Sequence, residues 1–225
     1  MGQAKSSTSS YDRALNEKNS LPALNFLGSN LSWHRLDDGV MGGRSETLHE
    51  CIDGAGTLHF KGTINTEGGG FTSIRSPISD SGLPKDMEAL RIKFRGDGKT
   101  YKVLLSDGKR STGAPFSRSP SWQIDLPTNK SDNNCDIKNG EGDDFQEVVL
   151  SLKDFQPSFG GGPSSRPSVD EIKKCKLIAS DMRQIGFMLS LRLSDGRPNP
   201  PETFGQGIFD FSLEIDSITP VTGLN

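Results

Sequence analysis

Leu90-Arg91-Ile92-Lys93-Phe94-Arg95, closed by Gly96-Asp97-Gly98-Lys99, is the stretch on which the fold reading turns. Apolar and basic side chains alternate strictly, and in an extended chain alternate side chains point to opposite faces. The reading is a strand with Leu90, Ile92 and Phe94 in a core and Arg91, Lys93 and Arg95 in solvent. Asp-Gly turn chemistry makes Gly96–Lys99 a hairpin connection to a second strand over Thr100–Ser106. Gly98-Lys99-Thr100 also ends like a phosphate-binding loop, but Lys93 stands where that motif needs its first glycine. A strand follows where a helix N-terminus is required, so nucleotide binding is excluded on this motif.

The same alternation recurs outward along the chain. Phe209, Phe211, Leu213 and Ile215 share one face of a strand over Gly207–Ile218. Further strands are expected over Thr57–Ile64, Gly70–Pro77, Ser121–Leu126, Glu147–Leu152 and Gln184–Leu193. Gly, Pro, Asn and Asp punctuate the spaces between them, with long loops at Pro127–Asp144, Pro157–Ser168 and Asp195–Gln206. Ser168-Val169-Asp170-Glu171 has capping-box spacing and predicts one short helix. An antiparallel β-sandwich follows.

Composition agrees with a turn-rich β-protein: 225 residues with 32% hydrophobic, 24% charged, 26 Gly and 13 Pro. A net charge of −3 gives no electrostatic case for a nucleic-acid partner. Cys51, Cys135 and Cys175 fall in no C-x-x-C pattern, so neither a disulfide framework nor a zinc site is suggested. No apolar run reaches bilayer length. Residues 1–25 read as a disordered polar arm before a folded domain over 26–222. Within the arm, Met1-Gly2-Gln3-Ala4-Lys5-Ser6 fits the N-myristoylation pattern and makes Gly2 a candidate acyl acceptor. As a mitochondrial presequence the arm is a poor match, being neither Arg-rich nor acid-free.

Motifs for chemistry fail one by one. His49-Glu50-Cys51-Ile52-Asp53 has Asp53 where a zinc protease needs its second His. No G-x-S-x-G elbow occurs, and no spacing identifies a triad. Asp37 with Asp38, and Asp143 with Asp144, read as turn-capping residues ahead of paired catalytic carboxylates or a calcium site. Aromatic platforms for a sugar are thin, with Trp33 and Trp122 read as core or edge anchors.

One turn stands out. Leu36-Asp37-Asp38-Gly39-Val40-Met41-Gly42-Gly43-Arg44-Ser45 joins two acids to three glycines that can take positive φ or allow close backbone approach. Preceded by Trp33, it resembles the W…D-x-V-M-G-G-x-S signature of the complex I intermediate-associated protein 30 (CIA30) family. Further matching elements follow in order: Phe60-Lys61-Gly62, Gly69 to Arg75, Gly96 to Tyr101, Trp122, Asp154 to Pro157, Ile185 to Met188, and Phe211 to Ile218. The resemblance spans residues 30–221.

It implies an all-β, galactose-binding-like jelly-roll sandwich with at most one or two short helices. It also implies a non-catalytic, chaperone-like assembly factor, mitochondrial and membrane-associated, whose partners are subunits or intermediates of NADH:ubiquinone oxidoreductase. No cofactor, metal or catalytic residue is carried over. Trp33, Asp37, Asp38, Met41, Gly42, Gly43, Ser45, Gly70, Phe71, Arg75 and Asp97 become candidates for the signature turn or for partner contact. Asp37 and Asp38 are expected to fix the turn or meet a partner, with Met41 packed beneath. The alternative is a carbohydrate- or small-ligand-binding module, or a cytosolic protein held peripherally at a membrane through an acylated Gly2.

Overall fold

The computed structural model describes residues 24–25, 31–51, 57–78, 82–108, 119–130, 145–159 and 168–223. Two six-stranded antiparallel sheets pack face to face. The first contains β1 (Leu24–Asn25), β3 (Glu46–Cys51), β4 (Leu58–Asn65), β6 (Met87–Gly96), β9 (Gln146–Ser151) and β12 (Ile208–Thr222). The second contains β2 (His34–Asp37), β5 (Phe71–Pro77), β7 (Thr100–Ser106), β8 (Ser121–Pro127), β10 (Gln156–Ser158) and β11 (Gln184–Ser190). Strand order is β3-β4-β12-β6-β9, with β1 also on β12, in the first sheet, and β10-β8-β7-β11-β5-β2 in the second. This is the antiparallel sandwich that the alternating strands imply, with the jelly-roll form that the resemblance implies.

Inward-facing residues of the two sheets make one core, as in sandwiches generally. Phe60, Leu90, Ile92, Phe94, Phe211, Leu213 and Ile215 come from the first sheet, and Tyr101, Val103, Leu105, Ile185, Phe187 and Leu189 from the second, all buried. Trp33 and Trp122 are buried too, Trp33 with its ring centroid 6.1 Å from that of Phe187. On the outer face of the first sheet Arg91, Lys93 and Arg95 pair with Glu147, Asp216 and Glu214.

Three expectations change. Gly96–Lys99 is not a hairpin: β6 pairs with β12 and β9, whereas β7 pairs with β8 and β11, so the turn is a corner between sheets. Asp-Gly chemistry reports a sharp bend, but which partner a strand takes is decided by distant residues. The Asp195–Gln206 loop contains a short helix, α2 (Pro201–Phe204), whose Phe204 is buried edge-on against Phe209. Leu24–Asn25, read as the end of the arm, pair with Ile218 and Ser217 of β12. The helix read from Ser168 onward is α1 (Val169–Lys174). Gly2 lies outside the described residues.

Candidate functional site

The signature stretch closes one end of the sandwich. Asp37 ends β2, residues Asp38–Met41 make a 3-10 turn, and Gly42 follows at φ 89° in the left-handed region that glycine tolerates. The next strand, β3, then starts the other sheet. This short connection crosses between sheets and is held by its two carboxylates.

Asp38 is fully buried. Its Oδ1 accepts from the Ser45 backbone N–H at 2.9 Å, and its Oδ2 from the Ser45 hydroxyl at 2.7 Å and the Gly70 N–H at 2.6 Å. A longer contact of 3.4 Å comes from the Phe71 N–H. Burial pushes the carboxyl upward, but the hydrogen bonds from Ser45, Gly70 and Phe71 outweigh it and leave the pKa below its ordinary value. Asp38 is therefore held as an anion inside a ring of donors. Ser45 relays the connection, since its hydroxyl accepts from the Asn65 N–H at 3.0 Å.

Glycines make the ring possible. A Cβ on Gly43 would lie 2.2 Å from Asp38 Cγ, and one on Gly69 would lie 2.2 Å from its Oδ2. Asp37 performs a parallel task at the partly buried rim, accepting from the Thr47 N–H at 3.2 Å and from the Thr47 hydroxyl. The side chain of Met41 lies outside the described residues.

Asp97 sits at the same end but holds a different joint. It accepts from the Tyr101 hydroxyl at 3.0 Å, the Ser212 N–H at 3.0 Å and Lys99 Nζ at 2.8 Å, tying the β6–β7 corner to β12. Burial, reinforced by the charge and hydrogen bond of Asp97, raises the Tyr101 pKa well above its usual value, so the phenol stays a donor. Arg75 lies apart, on the outer face of β5, while Phe71 is half-buried at the start of that strand. Gly69, Asn65 and Thr47 complete the turn without having been singled out; only the position of Gly69 beside Gly70 in a matched motif signalled it.

Around the turn the surface is mixed. Arg35 and Arg44 are exposed, as are Leu36 and Leu48, at 38% and 54%. These residues line two shallow depressions along the β2–β3 seam, where the edges of the two sheets meet. Among the described residues no three His, Cys, Asp or Glu side chains gather as metal ligands would.

The model of the Complex I intermediate-associated protein 30 (CIA30) family matches residues 24–215. The chain belongs to this family. The CIA30 signature is thus a buried carboxylate, its donors and the glycines that let them close in. No curated protein sequence matches the chain. Among solved structures, the family 11 carbohydrate-binding module of the cellulase Lic26A-Cel5E of Clostridium thermocellum aligns over 90% of this chain and 95% of its own. Its TM-score is 0.56 at 11% identity. A family 11 module from Clostridium thermocellum in complex with a β-1,3-1,4-mixed-linked tetrasaccharide aligns over 92% and 96%, with TM-score 0.53 and 11% identity. At such identity the likeness is one of fold.

Proposed function

We propose that this CIA30 domain is a non-catalytic assembly factor that holds protein intermediates of mitochondrial respiratory complex I. Family membership supports a complex I assembly-related role. The observation that carries the finer reading is the state of the signature carboxylates. Asp38 is enclosed by hydrogen-bond donors of the fold itself, and Asp37 is bonded to Thr47. Such groups hold a surface in shape rather than exchange protons with a substrate. The surface they hold combines exposed leucines with exposed arginines, a composition that suits contact with another protein.

Among the described residues no helix is long and apolar enough to cross a membrane. We propose that the association with the membrane complex is peripheral, through the client or through an acyl group on Gly2. Deleting the gene and separating respiratory complexes on native gels tests the reading. Loss of mature complex I with accumulation of a subcomplex is expected; normal complex I amount and activity would contradict it. Fractionation of a Gly2→Ala variant tests the anchor, with release from membranes expected if acylation holds the protein there.

A further inference from the structure

The outer face of the second sheet carries a cation that no described residue compensates. On β5 Ile74 points into the core, so Arg75 points outward, and register places Arg75 beside Gly186 of β11, then Leu104 of β7, then Gln123 of β8. Gly186 has no side chain to raise the floor, and a Cβ there would lie 2.9 Å from Arg75 Cγ, so the Arg75 stem leans across it. Arg75 is partly buried, and its Nε is buried without a hydrogen-bond partner among the described residues. Burial lowers its pKa, and among the described residues no carboxylate acts on it.

In the next row of the same face, Ser73, Met188, Lys102 and Asp125, Lys102 is only 6% exposed; it bonds Gln123 at 3.3 Å, and burial lowers its pKa against the opposing charges of Asp125 and Asp195. Among the described residues Lys102 thus has acidic company and Arg75 has none. A buried guanidinium without a counter-charge is costly, and a planar carboxylate is the group its donor fork matches.

We propose that Arg75 anchors a site on the outer face of the second sheet that binds an acidic, extended peptide segment, a Glu or Asp carboxylate seating on Arg75 beside Gly186 and the flanking chain reaching Gln123. This rests on the assembly-factor reading and names the chemistry of the client. The row of Arg75, Gly186, Leu104 and Gln123 and the row of Ser73, Met188, Lys102 and Asp125 carry no Phe, Tyr or Trp side chain, so this face offers no ring platform of the kind that favours a sugar. Charge complementarity at Arg75 selects the acidic residue.

The test is an NMR titration of the full chain with the peptide Ac-Gly-Ser-Glu-Ser-Gly-NH2, its Gln counterpart, and trigalacturonate as an acidic sugar. Saturable shifts of the Gly186 and Leu104 amides with the Glu peptide are expected. Affinity should fall about tenfold or more with the Gln peptide and in Arg75→Gln, and be partly kept in Arg75→Lys. Absence of saturable shifts, equal affinity for the Gln peptide, unchanged binding in a folded Arg75→Gln variant, or preference for trigalacturonate at these amides would each overturn the proposal. Should Arg75→Gln fail to fold, the Glu and Gln peptides on the unmodified protein decide. Native-gel analysis of the deletion is independent of the titration, so failure of the Arg75 site and failure of the assembly reading are separate results.

Discussion

Three neighbouring glycines in the signature turn answer to different physics. Gly39 has open space where a Cβ would go and no positive φ; Gly42 has open space but φ 89°; a Cβ on Gly43 would lie 2.2 Å from Asp38 Cγ. Alanine at these positions should therefore cost close to nothing, about 1 kcal/mol, and about 3 kcal/mol or more, in that order. Urea unfolding of the three variants checks the ranking, and equal losses would contradict the cradle. Asp38→Asn turns an acceptor-only group into one that offers hydrogens to N–H donors, at a cost of about 2–4 kcal/mol near neutral pH. The folded pKa of Asp38 lies below its ordinary 3.8, so the carboxylate's contribution is complete above that value and disappears as pH falls through the folded value. The stability gap between the native chain and Asp38→Asn should accordingly be widest above about pH 5 and narrow in acid. Local chemistry made this turn conspicuous in the sequence, since paired acids and glycines rarely crowd together without a backbone reason. What was not legible was the partner: Gly70 lies 32 residues from Asp38, and no local rule links them.

Single strands were readable where one face is wet. The alternation in β6 and in the first half of β12 separates core from solvent side chains without knowledge of any neighbour. That pattern breaks after Ile215, where a register shift against β6 moves the buried position to Ile218, a step of three that period-two reading loses. Pairing was less legible, as the Gly96–Lys99 corner shows: Thr128 fills the space beside Gly96, donating its hydroxyl hydrogen to the Lys99 carbonyl at 2.8 Å and accepting from the Gly98 N–H at 3.0 Å. That contact comes from a strand end that no turn rule connects to Gly96. Helix α2 was hidden within a proline-rich loop, although Pro at its first turn is a known helix opener. At this scale the two faces of the first sheet should respond very differently. Phe211→Ala, which removes a ring 4.9 Å from Phe60, should cost about 3–5 kcal/mol. Lys93→Ala should cost less than about 1 kcal/mol, because its ion pair with Asp216 is solvent-exposed in part. Unfolding midpoints of the two variants check this.

For the whole molecule, one end of a jelly-roll sandwich is tied by buried and half-buried carboxylates, and the edge beside it presents leucines and arginines to solvent. The fold is shared with carbohydrate-binding modules at 11% identity, which leaves function to the residues grafted on it. In this chain the acids of the CIA30 signature serve the fold, and its flanks are the proposed client surface. Folding and client binding should thus separate by mutation: Asp38 variants lose stability first, whereas substitutions at exposed Leu36 and Leu48 leave the core untouched. The most direct measurement is affinity purification with mass spectrometry of the native chain beside a Leu36→Asp, Leu48→Asp double variant, both matched for unfolding midpoint. Recovery of complex I subunits with the native chain and their loss with the stable double variant is the predicted result. No complex I subunit with the native chain, or equal recovery with both, would contradict it.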